Sequence, residues 1–138
     1  MVKKTFLLGF VFIVLVLLTV ACGGTRAKLG QEFSLHVGES ASIEGEELII
    51  KFVKVAEDSR CPKGAECVWA GRVTCAVEIT YRGVVYEVTL IPPGLTDWPP
   101  GESLDKYDIT YYVEPYPEIG KKIAEDEYLL MMTITKSM

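Results

Sequence analysis

Between Arg72 and Leu90 the chain alternates apolar and polar residues. Val73, Cys75, Val77, Ile79 and Tyr81 alternate with Arg72, Thr74, Ala76, Glu78 and Thr80, and the apolar positions resume at Val84, Tyr86, Val88 and Leu90. A period of two sends successive side chains to opposite faces of a strand, whereas an amphipathic helix needs a period of 3.6. Arg82-Gly83 between the two runs is a tight-turn signal, so the stretch predicts a hairpin with one buried face. The same alternation recurs through Phe33, Leu35 and Val37, through Leu48, Ile50 and Phe52, through Ile109, Tyr111 and Val113, and through Tyr128, Leu130, Met132 and Ile134. After Phe52 the phase slips to Val53 and Val55, which reads as a β-bulge. Ala41–Glu44 forms one more short strand, and Glu118–Glu127 has room for a single helical turn, broken at Gly120. About seven short strands with frequent turns predict an all-β fold, a small antiparallel β-sandwich or barrel.

The N-terminus is of another kind. Lys3 and Lys4 precede an uncharged run from Phe6 to Ala21, FLLGFVFIVLVLLTVA, which ends at Cys22. As a helix this run spans about 24 Å, short of a ~30 Å hydrocarbon core. A basic start, an apolar stretch and a small residue before a break are the grammar of an export signal. Leu18-Thr19-Val20-Ala21-Cys22-Gly23-Gly24 resembles the lipobox of bacterial lipoproteins, with Thr19 where Leu is commonest. The resemblance implies cleavage before Cys22 and a lipid on its sulfur, the thiolate being the nucleophile that takes the lipid. The expected organisation is a signal peptide over 1–21, a lipidated Cys22 and tether over 22–31, and an all-β extracytoplasmic domain over 32–138.

Residues 61–67, Cys61-Pro62-Lys63-Gly64-Ala65-Glu66-Cys67, place two cysteines around a Pro/Gly turn. In an exported protein that pattern reads as a disulfide. A seven-residue loop gives about 2.4 kcal/mol at 25 °C on the chain-entropy argument. Trp69 is expected to cover the bridge, and Gly71 suits a bulge or a positive φ at the next strand's start. Asp58 and Ser59 are expected to hydrogen-bond the turn, with Arg60 paired to a carboxylate. A rival reading makes Arg60, Lys63 and Glu66 an exposed binding rim.

Glu57-Asp58-Ser59-Arg60-Cys61-Pro62 followed by Cys67-Val68-Trp69-Ala70-Gly71 resembles a family of uncharacterised bacterial secreted and lipoprotein β domains with a DSRCP…C-x-W-A-G signature. The resemblance is specific over Glu57–Gly71 and looser elsewhere, and it implies a β fold outside the cytoplasm without supplying an activity. Cys75 departs from the pattern and leaves Cys67–Cys75 and Cys61–Cys75 open as other pairings. Its place between Val73 and Val77 reads as a buried thiol.

Composition narrows the functional classes. The 138 residues fit one domain, and the formal charge of −5 with a pI near 4.9 offers no basic surface for nucleic acid. A single histidine rules out chemistry needing two imidazoles. No Gly-rich phosphate loop or G-x-S-x-G motif is present, so no catalytic residue and no cofactor are expected. Zinc held by Cys61, Cys67, Cys75 and His36 satisfies a Cys₃His count, but oxidation favours the disulfide and His36 lies on the polar side of its strand. Redox exchange is disfavoured by the five residues between Cys61 and Cys67. Glu125-Asp126-Glu127 lacks the alternating ligand spacing and glycine of a calcium loop. The proline-rich loop Ile91–Ser103 presents Trp98 as an aromatic anchor or as a cap on the open end of the fold. Tyr107, Tyr111, Tyr112 and Tyr116 are expected to extend an aromatic surface.

The sequence thus predicts a lipid-anchored, non-catalytic module that touches the membrane through Cys22 and either binds an envelope protein or glycan, with Trp98, Arg60, Lys63 and Glu66 as candidate contacts, or serves a structural role in the envelope. The alternative is an envelope enzyme or accessory using a metal or redox thiol at Cys61, Cys67 or Cys75. Cys22→Ser should abolish incorporation of a labelled fatty acid and release the protein from the membrane fraction. Labelling that survives the substitution would contradict the lipobox reading.

Overall fold

The computed structural model describes residues 24–91, the backbone of 95–96, and residues 106–137. Among these it forms nine strands: β1 (Thr25–Ala27), β2 (Glu32–His36), β3 (Ser40–Ile43), β4 (Leu48–Asp58), β5 (Val73–Tyr81), β6 (Val84–Ile91), β7 (Leu95–Thr96), β8 (Tyr107–Glu114) and β9 (Leu129–Lys136). One sheet has the order β1-β3-β4-β5-β6-β7 and the other the order β2-β9-β8. Every strand pairing is antiparallel except β1 with β3. Two separate sheets make this a small sandwich, which decides between the two all-β architectures the alternation allowed. The seven expected strands are present, and β1 and β7 are short additions at the two edges of the larger sheet.

The alternation works as expected. Leu35, Ile50, Phe52, Ile79, Leu130 and Ile134 are fully buried between the sheets. The β5–β6 hairpin turns at Arg82 (φ 49°) and Gly83 (φ 79°), two positive φ values that match the right-handed twist of the flanking strands. Val84 departs from expectation: it lies opposite Tyr81 yet is exposed, while Tyr81 is buried. Tyr81 packs edge-on against Tyr107 of β8, whereas on β6 burial begins farther from the turn, at Val88 and Leu90.

Two tyrosines of β8 make polar contacts toward the larger sheet. The Tyr111 hydroxyl on β8 lies 2.9 Å from the Leu90 carbonyl and 3.2 Å from that of Val73, and its burial raises the phenol pKa. At one end, the Tyr107 hydroxyl on β8 donates to Glu46 at 2.5 Å, and Lys136 pairs with the same carboxylate. The Lys136 and then the Tyr107 hydrogen bonds hold Glu46 below the usual carboxylate range. Tyr107 is therefore a buried inter-sheet residue and not part of an exposed aromatic surface.

The expected tether over 22–31 is shorter than its sequence suggested. Thr25, Arg26 and Ala27 pair with Ala41, Ser42 and Ile43, and Ala27 is buried. Polar, glycine-containing composition hid this strand because a three-residue edge element has too few positions to show a period.

Candidate functional site

The site is built at the far end of β4. Register shifts interrupt its pairing with β5 twice, between Phe52 and Lys54 and again between Val55 and Glu57. Each bulge inverts the inside–outside phase, so the second cancels the first. Asp58 consequently lies directly opposite the buried Val73, on the face turned toward the other sheet. The sequence shows the first slip through Val53 and Val55. The second falls in Ala56-Glu57, where no apolar residue marks the phase.

Arg60, two residues on, shares that face. Its Nε and Nη2 donate to the two Asp58 carboxylate oxygens at 2.8 and 2.7 Å, a bidentate pair whose side chains are only 9% and 10% exposed. The remaining donors cross to the second sheet: Nη1 reaches the Val113 carbonyl at 2.7 Å and Nη2 the Pro115 carbonyl at 3.0 Å. Tyr128, just before β9, donates its hydroxyl to Asp58 at 3.2 Å. Burial pushes the Asp58 carboxyl up, but the Arg60 hydrogen bonds outweigh it and leave the group below the ordinary aspartate value. The sequence allows Arg60 either to pair with a carboxylate or to line an exposed rim. Pairing is what the structure shows, and the rim retains Lys63 and Glu66, both exposed.

The loop beyond Arg60 is braced on both sides. Cys61 and Cys67 form the disulfide, with Cα atoms 5.9 Å apart, so neither pairing through Cys75 occurs. The Ser59 N–H donates to the Arg72 carbonyl at 2.8 Å and the Cys61 N–H to the Ala70 carbonyl at 3.0 Å, carrying the β4–β5 ladder outward. Gly71 sits at φ +68° with its missing Cβ aimed at the Ser59 carbonyl oxygen, 1.7 Å from where that atom would stand. No other residue type fits this crossing without moving the backbone. On the other side, the Lys63 N–H donates to the Pro117 carbonyl at 2.9 Å, and the Ile119 side chain rests against Gly64.

That bracing corrects the expectation for Trp69. Its side chain does not cover the disulfide; Trp69 is 82% exposed and Val68 92%. Cys67 is itself exposed, so the bridge stays open to solvent there. The ladder from Cys61 to Ala70 turns residues 68 and 69 outward.

Beside the loop, along the outer edge of β8, runs a groove of about 590 Å³ lined by Lys63, Arg72, Tyr111, Tyr112, Pro115 and Tyr116 among others. Tyr112 and Tyr116 are 47% and 42% exposed, and the Arg60 guanidinium and Lys63 ammonium lie 5.0 and 5.9 Å from the centre of the Tyr116 ring. Of the four expected surface tyrosines, Tyr116 opens onto the groove, whereas Tyr112 alternates with the inward Tyr111 and lies on the outer face of its sheet, its hydroxyl donating to Glu32 at 3.3 Å. The arrangement can stack planar or apolar groups on the Tyr116 face while Lys63 and Arg72 meet negative charge at the rim.

Several sequence candidates fall elsewhere. Cys22 and Trp98 lie outside the described residues. Cys75 is fully buried, and burial pushes its thiol pKa up to about 12. His36 is exposed on the other sheet, and among the described residues no three His, Cys, Asp or Glu side chains group to hold a metal ion. Glu125–Glu127 form an exposed 3₁₀ turn. The sequence pairs Arg60 with a carboxylate but does not identify Asp58 as the partner or show that both face the second sheet. The signal for the shared face was the Asp-x-Arg spacing, which puts both side chains on one face of an extended segment. Neither protein-family models, nor curated proteins, nor solved structures give a match to this chain.

Asp58 makes a pH prediction. A carboxyl with a depressed folded pKa contributes stability that is present above its unfolded value, near 3.9, and is lost as pH falls through the folded value. The stability gap between the wild type and Asp58→Asn should therefore be widest near neutrality and close below about pH 4. Urea unfolding midpoints across pH 2.5–7 read this directly; a gap independent of pH would refute it.

Proposed function

We propose that this chain is a lipid-anchored, extracytoplasmic β-sandwich that acts by binding, with the groove along β8 as its ligand face. The observation that carries the reading is the groove itself: the open Tyr116 ring and a cationic rim, set on a scaffold that the Asp58–Arg60 pair and the disulfide hold fixed. A preformed concave surface with a few convergent polar groups loses little conformational entropy on binding. The bridge between Cys61 and Cys67 also fits an oxidising compartment, in keeping with the lipobox resemblance at Cys22.

Two placements support binding over thiol or metal chemistry. Cys61 and Cys67 are spent on each other, and Cys75 is buried with a raised pKa, the opposite of what a reactive thiolate requires. The ligand class that suits the groove is a segment of an envelope protein or glycan, able to lay planar or apolar groups over Tyr116 and an anionic group near Lys63 and Arg72. The Trp98 loop is a second proposed contact from the sequence.

Photo-crosslinking in intact cells tests the assignment. A photoreactive residue at position 116 should capture a discrete envelope component, whereas one at the exposed Val85 on the β6 strand should not. Equal capture from both positions would count against the groove.

A further inference from the structure

Val68 and Trp69 are the most exposed large apolar residues among the described positions, and they sit on the most braced loop of the fold. A disulfide, the Cys61–Ala70 hydrogen bond and the Lys63–Pro117 hydrogen bond hold them out. Exposed apolar groups on a flexible tip could fold back; these are held away from any cover.

Strand direction relates this tip to the N-terminal anchor. β1 runs parallel to β3, and β3 runs antiparallel to β4. The N-terminal end of β1 therefore faces the way β4 runs, with Thr25 level with Ala41 and Ile50, eight residues before Asp58. Only Gly23 and Gly24 separate Cys22 from Thr25 in sequence, which limits the distance between those two Cα atoms to about 11 Å. A lipid on Cys22 would therefore hold the sandwich against the bilayer surface.

We infer that the Val68-Trp69 tip is a second membrane contact, seated at the boundary between headgroups and acyl chains of the same bilayer that holds the lipidated Cys22. Tryptophan suits that boundary because its ring is apolar and its indole N–H stays hydrated. Anchor and tip together fix the tilt of the sandwich, so that the β8 groove is presented at a set height above the surface. The inference rests on the lipidated Cys22 of the proposed function and adds an orientation that a lipid on a flexible tether does not impose.

The chain has two tryptophans, so Trp98→Phe leaves Trp69 as the sole indole reporter. The full-length lipidated Trp98→Phe protein is reconstituted into phosphatidylethanolamine–phosphatidylglycerol vesicles with and without brominated phospholipid. Trp69 emission should shift to the blue and lose on the order of half its intensity to the bromolipid, and Val68→Asp should weaken that quenching. If Trp98→Phe fails to fold, the difference between the wild type and Trp69→Phe supplies the same quantity. Protein that floats with the vesicles but keeps water-like, unquenched Trp69 emission overturns the inference and leaves the anchor standing. Protein that does not float overturns the anchor and the inference together.

Discussion

The paired side chains of Asp58 and Arg60 join the two sheets at the end of the sandwich where the disulfide loop and the groove lie. β4 leads into both, and Arg60 reaches across to carbonyls at the end of β8 while Tyr128 reaches back to Asp58 from the start of β9. A buried ion pair is weak evidence for net stability, because desolvation offsets much of the attraction. Its stronger effect is on uniqueness. With the pair in place, the Val113 and Pro115 carbonyls have a donor and the sheets have one register; with either partner truncated, a buried charge is left uncompensated.

The other features at this end hang from that joint. Cys61 follows Arg60 directly, so fixing the guanidinium fixes where the disulfide loop begins. Gly71 allows the return strand to cross within contact of the Ser59 carbonyl, and the loop's inner side is taken by Pro117–Ile119. What remains for Val68 and Trp69 is solvent. The groove inherits its shape from the same parts, since Arg60 stands between the loop and Tyr116 and pins the carbonyls that bound the groove's β8 wall. An arrangement built from locked neighbours presents its exposed aromatic groups at little entropic cost.

The all-β class, the seven longer strands, the Arg82-Gly83 hairpin and the Cys61–Cys67 bridge were all legible in the sequence, because alternation, turn residues and cysteine spacing are local signals. The second β4 bulge was not, since Ala56-Glu57 offers no apolar marker of phase, and with it went the inward turn of Asp58. β1 was hidden by its three-residue length. A bulky indole beside a disulfide suggests a cover, but whether Trp69 acts as one depends on how the hydrogen bond from Cys61 to Ala70 turns the loop, which no local pattern shows. Arg60 shows the general pattern: the residue type and its need for a carboxylate are local facts, but its burial is a property of two sheets meeting.

A double-mutant cycle on Asp58→Asn and Arg60→Met, read by urea unfolding at pH 7, tests the joint most directly. If the pair ties the sheets, each single variant loses far more than the double variant implies, and the coupling comes to about 2 kcal/mol or more. Single costs that sum to the double within about 0.5 kcal/mol would show that the sheets and the stapled loop do not depend on it.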